Sequence, residues 1–211
     1  MSEDALDQWA EWLVRTRFAE STEEEKAAAL ERLAAVREHV LDGARIEPAD
    51  FVLDVGAGTG LLTAGALDRV GPDGDVMALD VSVDCLEELE RSVRDGRLWL
   101  LIGDADVLPL PGELVDAVLT RSVLIYVEER AEAAREFFRV LRPGGRVSLF
   151  EPLNRRNAPL AELVELAELA PLADARHQGR LAADDPMLDF DAADLEGIFS
   201  AAGFAEVRGE V

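Results

Sequence analysis

Residues 51–60 read FVLDVGAGTG, and this stretch decides the fold of the chain. A mainly apolar run, 51–55, stops at a glycine-rich turn, and the residues from Leu61 onward have the composition of a helix. Glycine is needed where a strand turns sharply into a helix and a ligand approaches the backbone closely. The N–H groups of such a loop favour polar or anionic ligand atoms. The stretch therefore predicts a strand–turn–helix unit that binds a ligand.

Apolar runs alternate with helical segments along the rest of the chain. We predict six strands, at residues 51–55, 76–79, 98–102, 115–119, 146–150 and 204–207. Continuous apolar strands separated by helices are typical of a parallel sheet covered on both faces. The predicted fold class is α/β, a three-layer sandwich with a mostly parallel, Rossmann-like sheet.

The chain divides into four predicted parts. Residues 1–45 form an N-terminal helical cap. In it, Ser21 and Thr22, with Glu24 and Glu25 three residues on, offer a capping box for a helix that ends before Gly43. Residues 46–151 form the ligand-binding core. Residues 152–190 form a helical and loop insertion that closes part of a substrate pocket, and residues 191–211 supply the last helix and strand of the core.

The composition restricts the classes of partner. With 44 acidic and 21 basic residues, the net charge is −23, which repels nucleic acid and an anionic membrane surface. No run reaches the roughly 18 apolar residues of a membrane span, and the acidic N-terminus does not match a secretory signal. Cys85 is the single cysteine, so we expect a cytoplasmic protein. No cluster has the spacing of metal ligands, so we expect no metal.

Three acidic residues follow predicted strands. Asp54 lies at the mouth of the glycine loop, Asp80 ends the second strand, and Asp104 ends the third. A carboxylate about 20 residues past the glycines is placed to accept both hydroxyls of a ribose. Asp104 can accept from an exocyclic amino group, and the N–H of Ala105 can donate to a ring nitrogen. Singly, Asp80 could instead cap a helix and Asp104 could start a turn; together the acids predict a nucleoside site.

The glycine spacing separates two classes of nucleoside cofactor. A nicotinamide fingerprint, G-x-G-x-x-G, would need a third glycine where this chain has Leu61. Asp54 would also repel a pyrophosphate, whereas it suits a cationic ligand. A nicotinamide enzyme is therefore the disfavoured alternative.

Five segments resemble the class I S-adenosylmethionine-dependent methyltransferases, in particular their small-molecule branch, type 11. In the family's order they read VLDVGAGTG (52–60), ALDVS (78–82), GDA (103–105), VDAV (115–118) and FRVLRPGGR (138–146). The family's sheet normally finishes with a β-hairpin, which six strands would leave incomplete. We expect that edge to reflect a shortened sequence or to pair between the subunits of a homodimer.

The resemblance implies S-adenosyl-L-methionine as the cofactor and S-adenosyl-L-homocysteine as the product. The glycine loop and Asp54 would hold the methionine end, Asp80 the ribose, and Asp104 with Ala105 the adenine. The implied cofactor contacts are Asp54, Gly56, Ala57, Gly58, Thr59, Gly60, Asp80, Val81, Asp104, Ala105, Arg121 and Ser122.

No strong general base emerges from the sequence. Because the cofactor's sulfonium already makes the methyl electrophilic, the protein mainly has to align the acceptor. The catalytic candidates are Glu151 at the end of the fifth strand, Tyr126, where many relatives carry histidine, and His177 in the insertion. Trp12 and Arg15 are candidates for the substrate wall, although Arg15 could equally be a solvated helix charge.

Two functions stay open at this point. One is methyl transfer to a small-molecule acceptor by in-line displacement. The other is a methyltransferase-like module that binds the cofactor without turnover, which the weak set of bases would fit.

Overall fold

The computed structural model describes residues 21–153 and 190–210, together with residues 11, 15, 16 and 19. Its strands are β1 (Phe51–Val55), β2 (Asp75–Asp80), β3 (Leu98–Ile102), β4 (Val115–Arg121) and β5 (Leu141–Phe150). Its helices are α1 (Glu23–Ala44), α2 (Leu61–Val70), α3 (Val83–Ser92), α4 (Arg130–Val140) and α5 (Ala192–Ala202), with a 3-10 helix at Leu124–Tyr126.

The five strands form one parallel sheet in the order β3-β2-β1-β4-β5. The chain first adds strands on one side of β1 and then crosses to the other side with β4. In open α/β sheets, ligands bind beyond the carboxyl ends of the strands at such a switch point. The predicted α/β class with a parallel, Rossmann-like sheet is confirmed, and the switch point lies between β1 and β4, beside the glycine loop.

Helices cover both faces of the sheet because successive strand residues alternate between them. Val52 of β1 packs in a buried cluster with Leu41 of α1 and Leu62 of α2. Its neighbour Leu53 packs in another cluster with Phe137 of α4 and with residues of α5. None of the helices described is both long and apolar enough to cross a bilayer.

The first described helix begins as predicted and ends later than predicted. Thr22 and Glu25 form the expected capping box, each side chain accepting from the other residue's N–H. The helix then continues through Gly43 to Ala44. A Cβ on Gly43 would lie 2.5 Å from Oγ of Ser148 in β5, so this glycine serves close packing on the sheet and does not stop the helix.

The predicted sixth strand is wrong. Residues 204–207 lie in the described part of the chain and form no strand. The ring of Phe204 instead lies 5.3 Å from that of Phe138 and 5.4 Å from that of Phe199, measured between centroids. Phe204 and Val207 pack against the core cluster that contains Phe137 and Phe199, without pairing to a strand.

Candidate cofactor site

The glycine loop makes the predicted sharp turn between β1 and α2. Gly56, Gly58 and Gly60 have φ values of 67°, 54° and 92°, a region that residues with a Cβ rarely adopt. A Cβ on Gly56 would lie 2.2 Å from Cγ2 of Val123, and one on Gly60 would lie 2.3 Å from Cδ1 of Leu89. The loop therefore tolerates only glycine at these two positions, for both conformation and space.

Several N–H groups of this loop bind the protein itself. Those of Gly56 and Ala57 donate to the carbonyl oxygen of Leu79, at 2.8 and 3.0 Å. The N–H of Gly58 donates to Oδ2 of Asp80 at 2.7 Å. These bonds tie the loop to the end of β2. The loop is thus held in place, with fewer N–H groups open to a ligand than the sequence suggested.

Asp54 is a buried carboxyl group, 1% exposed. Its Oδ2 accepts a hydrogen bond from the hydroxyl of Thr63 in α2, at 2.6 Å. Burial raises the pKa of Asp54 to about 7; the Thr63 bond opposes the rise, and the charge of Asp80 adds to it. Bringing two carboxylates together in a buried place disfavours their charged forms unless a cation joins them.

Asp80 ends β2 and is also 1% exposed. Besides the N–H of Gly58, it accepts the N–H of Ser82 at 2.9 Å through Oδ1. Burial raises the pKa of Asp80, whereas these N–H groups lower it. Within the described residues neither Asp54 nor Asp80 forms an ion pair. A carboxylate offers about four acceptor positions, so Asp80 keeps capacity for hydroxyl groups of a ligand.

Asp104 comes shortly after β3, the strand next to β2. The N–H of Gly103 donates to the backbone oxygen of Asp80 at 3.1 Å, which joins the end of β3 to the end of β2. Asp104 is exposed, and its Oδ1 accepts the N–H of Ala105 at 2.7 Å. The N–H expected to meet a ring nitrogen is therefore engaged by the neighbouring carboxylate. The three acids still follow three adjacent strands at one edge of the sheet.

The other predicted contacts surround this edge. Arg121 ends β4 and Ser122 follows it, on the opposite side of β1 from Asp80, and both are half-buried. Ser122 has a φ of 55°, which is uncommon outside glycine. Val81 follows Asp80 and is 38% exposed.

Two of the catalytic candidates lie in the described chain. Tyr126 ends the 3-10 helix and packs, half-buried, against the core. Glu151 directly follows β5, and its carboxylate accepts three backbone N–H groups, those of Val123, Leu124 and Ile125. Burial raises the pKa of Glu151 to about 7 against the effect of these donors.

The remaining candidates are Trp12, His177 and Arg15. Trp12 and His177 lie outside the described residues, and Arg15 is exposed. Among the residues that the structure describes, no group of three histidine, cysteine or acidic side chains is placed to hold a metal ion.

Three residues at this edge were not predicted from the sequence: Thr63, Leu89 and Val123. A hydroxyl on the buried face of α2 was the available signal for Thr63. Leu89 and Val123 have none, because each meets its glycine only after the chain has folded.

Comparisons with known proteins show the family of this chain. A family model described as "Methyltransferase domain", of type 11, matches residues 53–149, from the glycine loop to β5. The ubiquinone/menaquinone biosynthesis C-methyltransferase UbiE of Vibrio campbellii is 30% identical over 179 residues, which cover 80% of this chain and 69% of that protein. The chain belongs to the S-adenosylmethionine-dependent methyltransferases.

Solved structures share the methyltransferase fold. A protein described as a methyltransferase, in complex with the Haloferax volcanii Trm112 methyltransferase activator, matches with a TM-score of 0.67 and 20% identity. That match covers 93% of this chain and 76% of the other. A second such protein, from Bacillus halodurans, matches with a TM-score of 0.59 and 22% identity, over 80% of this chain and 68% of the other.

Proposed function

We propose that this methyltransferase transfers a methyl group from S-adenosyl-L-methionine to a small organic acceptor by in-line displacement, and releases S-adenosyl-L-homocysteine. One observation carries the proposal. The carboxylates of Asp54 and Asp80 lie buried at the ends of adjacent strands, and neither forms an ion pair with another described residue. A positively charged nucleoside suits this pair of carboxylates, because a carboxylate accepts hydrogen bonds from ribose hydroxyls and attracts a cation.

In this proposal each strand end holds one part of the cofactor. Asp80 accepts the ribose hydroxyls, Asp104 accepts the amino group of the adenine, and Asp54 with the glycine loop holds the methionine end. Arg121 and Ser122 line the opposite side. The bound cofactor supplies an electrophilic methyl group. The protein's own task is to orient the acceptor and exclude water, since proximity lowers much of the barrier.

The acceptor is proposed to be a small molecule. The UbiE relatives are named as C-methyltransferases of ubiquinone and menaquinone biosynthesis, which makes an electron-rich carbon the first acceptor atom to test. The net charge of −23 opposes an acceptor with a phosphate backbone.

The protein's thiol does not take part in the proposed reaction. Cys85 is buried in α3, and burial raises the pKa of its thiol to about 11. A thiol in that state is a poor nucleophile because the thiolate is the reactive form. We place the reaction in the cytoplasm, where a single reduced thiol is ordinary.

Replacement of Asp80 by alanine tests the cofactor site. We expect Asp80→Ala to weaken the binding of S-adenosylhomocysteine by about ten-fold or more, because charge-assisted hydrogen bonds contribute roughly 1.5–3 kcal/mol. Isothermal titration calorimetry measures the affinity, and circular dichroism shows whether the variant is folded. The control is Asp73→Ala, which removes an exposed acid from the turn before β2. An affinity unchanged in the folded Asp80 variant would refute the ribose assignment, and tighter binding of NAD would refute the cofactor.

Turnover needs a separate measurement. Incubating the protein with methyl-labelled S-adenosylmethionine and a cell extract should place label in a small molecule that mass spectrometry can identify. A protein that binds the cofactor but labels no small molecule would instead be the binding module considered above.

A further inference from the structure

We propose that Glu151 is a positioning residue that holds the segment between β4 and α4 against the glycine loop. In this proposal Glu151 is not the general base that removes a proton from the methyl acceptor. The inference rests on the proposed function, because it concerns the wall of the same cofactor site.

The carboxylate of Glu151 is already committed to backbone donors. Oε1 accepts the N–H of Val123 at 2.9 Å and that of Leu124 at 3.0 Å, and Oε2 accepts the N–H of Ile125 at 3.3 Å. These N–H groups stand at the start of the 3-10 helix, where a helix has no internal acceptors for them. A carboxylate has about four acceptor positions, and these capping contacts occupy three of them, including both positions of Oε1.

Two further hydrogen bonds hold the same segment. The buried guanidinium of Arg130 donates through Nε to the carbonyl oxygen of Leu124, at 2.8 Å. The N–H of Ser122 donates to the carbonyl oxygen of Phe150, the residue before Glu151, at 2.8 Å. Ser122 has a positive φ, and backbone strain of that kind persists only where the surroundings hold it.

Val123 links these hydrogen bonds to the proposed cofactor site. Its side chain packs so closely on Gly56 that a Cβ there would lie 2.2 Å from Cγ2. Glu151 binds the N–H of this same residue. Releasing the carboxylate would therefore free Val123 from the glycine loop and disturb the wall on which the cofactor rests.

The test compares two substitutions of Glu151. In Glu151→Ala, we expect the amides of residues 123–125 to exchange with solvent at least about ten-fold faster, and S-adenosylhomocysteine to bind at least about ten-fold more weakly, as lost charge-assisted bonds predict. Glu151→Gln keeps an oxygen that can accept two of the three N–H groups, so it should recover much of both properties. The control is Glu128→Ala, an exposed acid before α4, which should leave both unchanged.

The outcomes decide between positioning and base catalysis. Loss of amide protection together with loss of affinity in Glu151→Ala supports the proposal, and retention of either one overturns it. The proposal also fails if Glu151→Gln loses turnover while its amide protection and affinity stay at the wild-type level, because that is the behaviour of a base. Exchange and binding need no methyl acceptor, so a failure to find a substrate would count against the proposed function alone.

Discussion

Asp54, a residue of the proposed cofactor site, makes the stability of the fold depend on pH. The side chain stands in an apolar strand with the hydroxyl of Thr63 as its hydrogen-bond donor, and burial raises its pKa to about 7. In the unfolded chain the pKa of an aspartate is about 3.9. Between these two values the folded protein binds a proton that the unfolded chain does not. The stability that this proton supplies is present below the lower pKa and is lost as the pH rises through the higher one.

Replacing Asp54 by asparagine should therefore separate stability from binding. We expect the free energy of unfolding of Asp54→Asn to fall less than that of the wild type between pH 4 and pH 8, because asparagine has no charge to bury; the wild-type loss is at most about 1.4 kcal/mol per pH unit. The same variant should bind S-adenosylhomocysteine more weakly. Urea titrations at several pH values measure the first effect, with Asp68→Asn on the exposed side of α2 as the control. Parallel pH curves for variant and wild type would contradict the assignment.

At the scale of helices, two glycines in similar local sequence have opposite surroundings. Gly43 lies inside α1, where an added Cβ would stand 2.5 Å from Oγ of Ser148. Gly197 lies inside α5, and an added Cβ there would have no atom within 4 Å. Glycine weakens any helix interior by roughly 0.5–1 kcal/mol relative to alanine. Local propensity therefore favours alanine at both positions, and packing opposes it at Gly43 alone.

Alanine at these two positions should change stability in opposite directions. We expect Gly197→Ala to stabilise the fold by about 0.5–1 kcal/mol and Gly43→Ala to destabilise it by about 1–3 kcal/mol, the usual range for overpacking. Adding Ser148→Ala should recover part of the loss at Gly43, because it removes the oxygen that the new methyl would meet. Denaturant unfolding measures all three. If Gly43→Ala stabilised the fold, that result would contradict the close packing of α1 on β5 at Ser148.

For the whole molecule, the excess of acidic residues opposes compaction. Several arginines pair with acids at the surface, for example Arg135 with Glu132 and Arg208 with Glu206. Exposed pairs of this kind contribute only about 0–1 kcal/mol each. They leave a net charge of −23, whose self-repulsion is larger in the folded state because the charges lie closer together. The same net negative charge would make two subunits repel each other, and the homodimer stays a prediction.

Salt should accordingly stabilise this protein. Raising sodium chloride from about 0.01 M to 0.15 M shortens the Debye length from about 30 Å to 8 Å and screens repulsion across the molecule. We expect the melting temperature to rise by a few degrees, since about 1 kcal/mol corresponds to roughly 2–4 °C at this size. Calorimetry measures the shift, with an equal osmolality of a neutral solute as the control. A melting temperature that is flat or falls with salt would mean that the surface pairs outweigh the net repulsion.

The sequence by itself determined the parallel α/β sheet, the glycine turn, a capping box at Ser21 or Thr22 and the acids at three strand ends. These features depend on periodicity or on residues a few positions apart, so their signals are local. Only the tertiary structure decided that Gly43 packs on Ser148, that Phe204 joins the aromatic contacts of α4 and α5, and that Glu151 caps a distant turn. Each of those contacts joins residues far apart along the chain, so the local sequence around one residue does not indicate which residue it will contact.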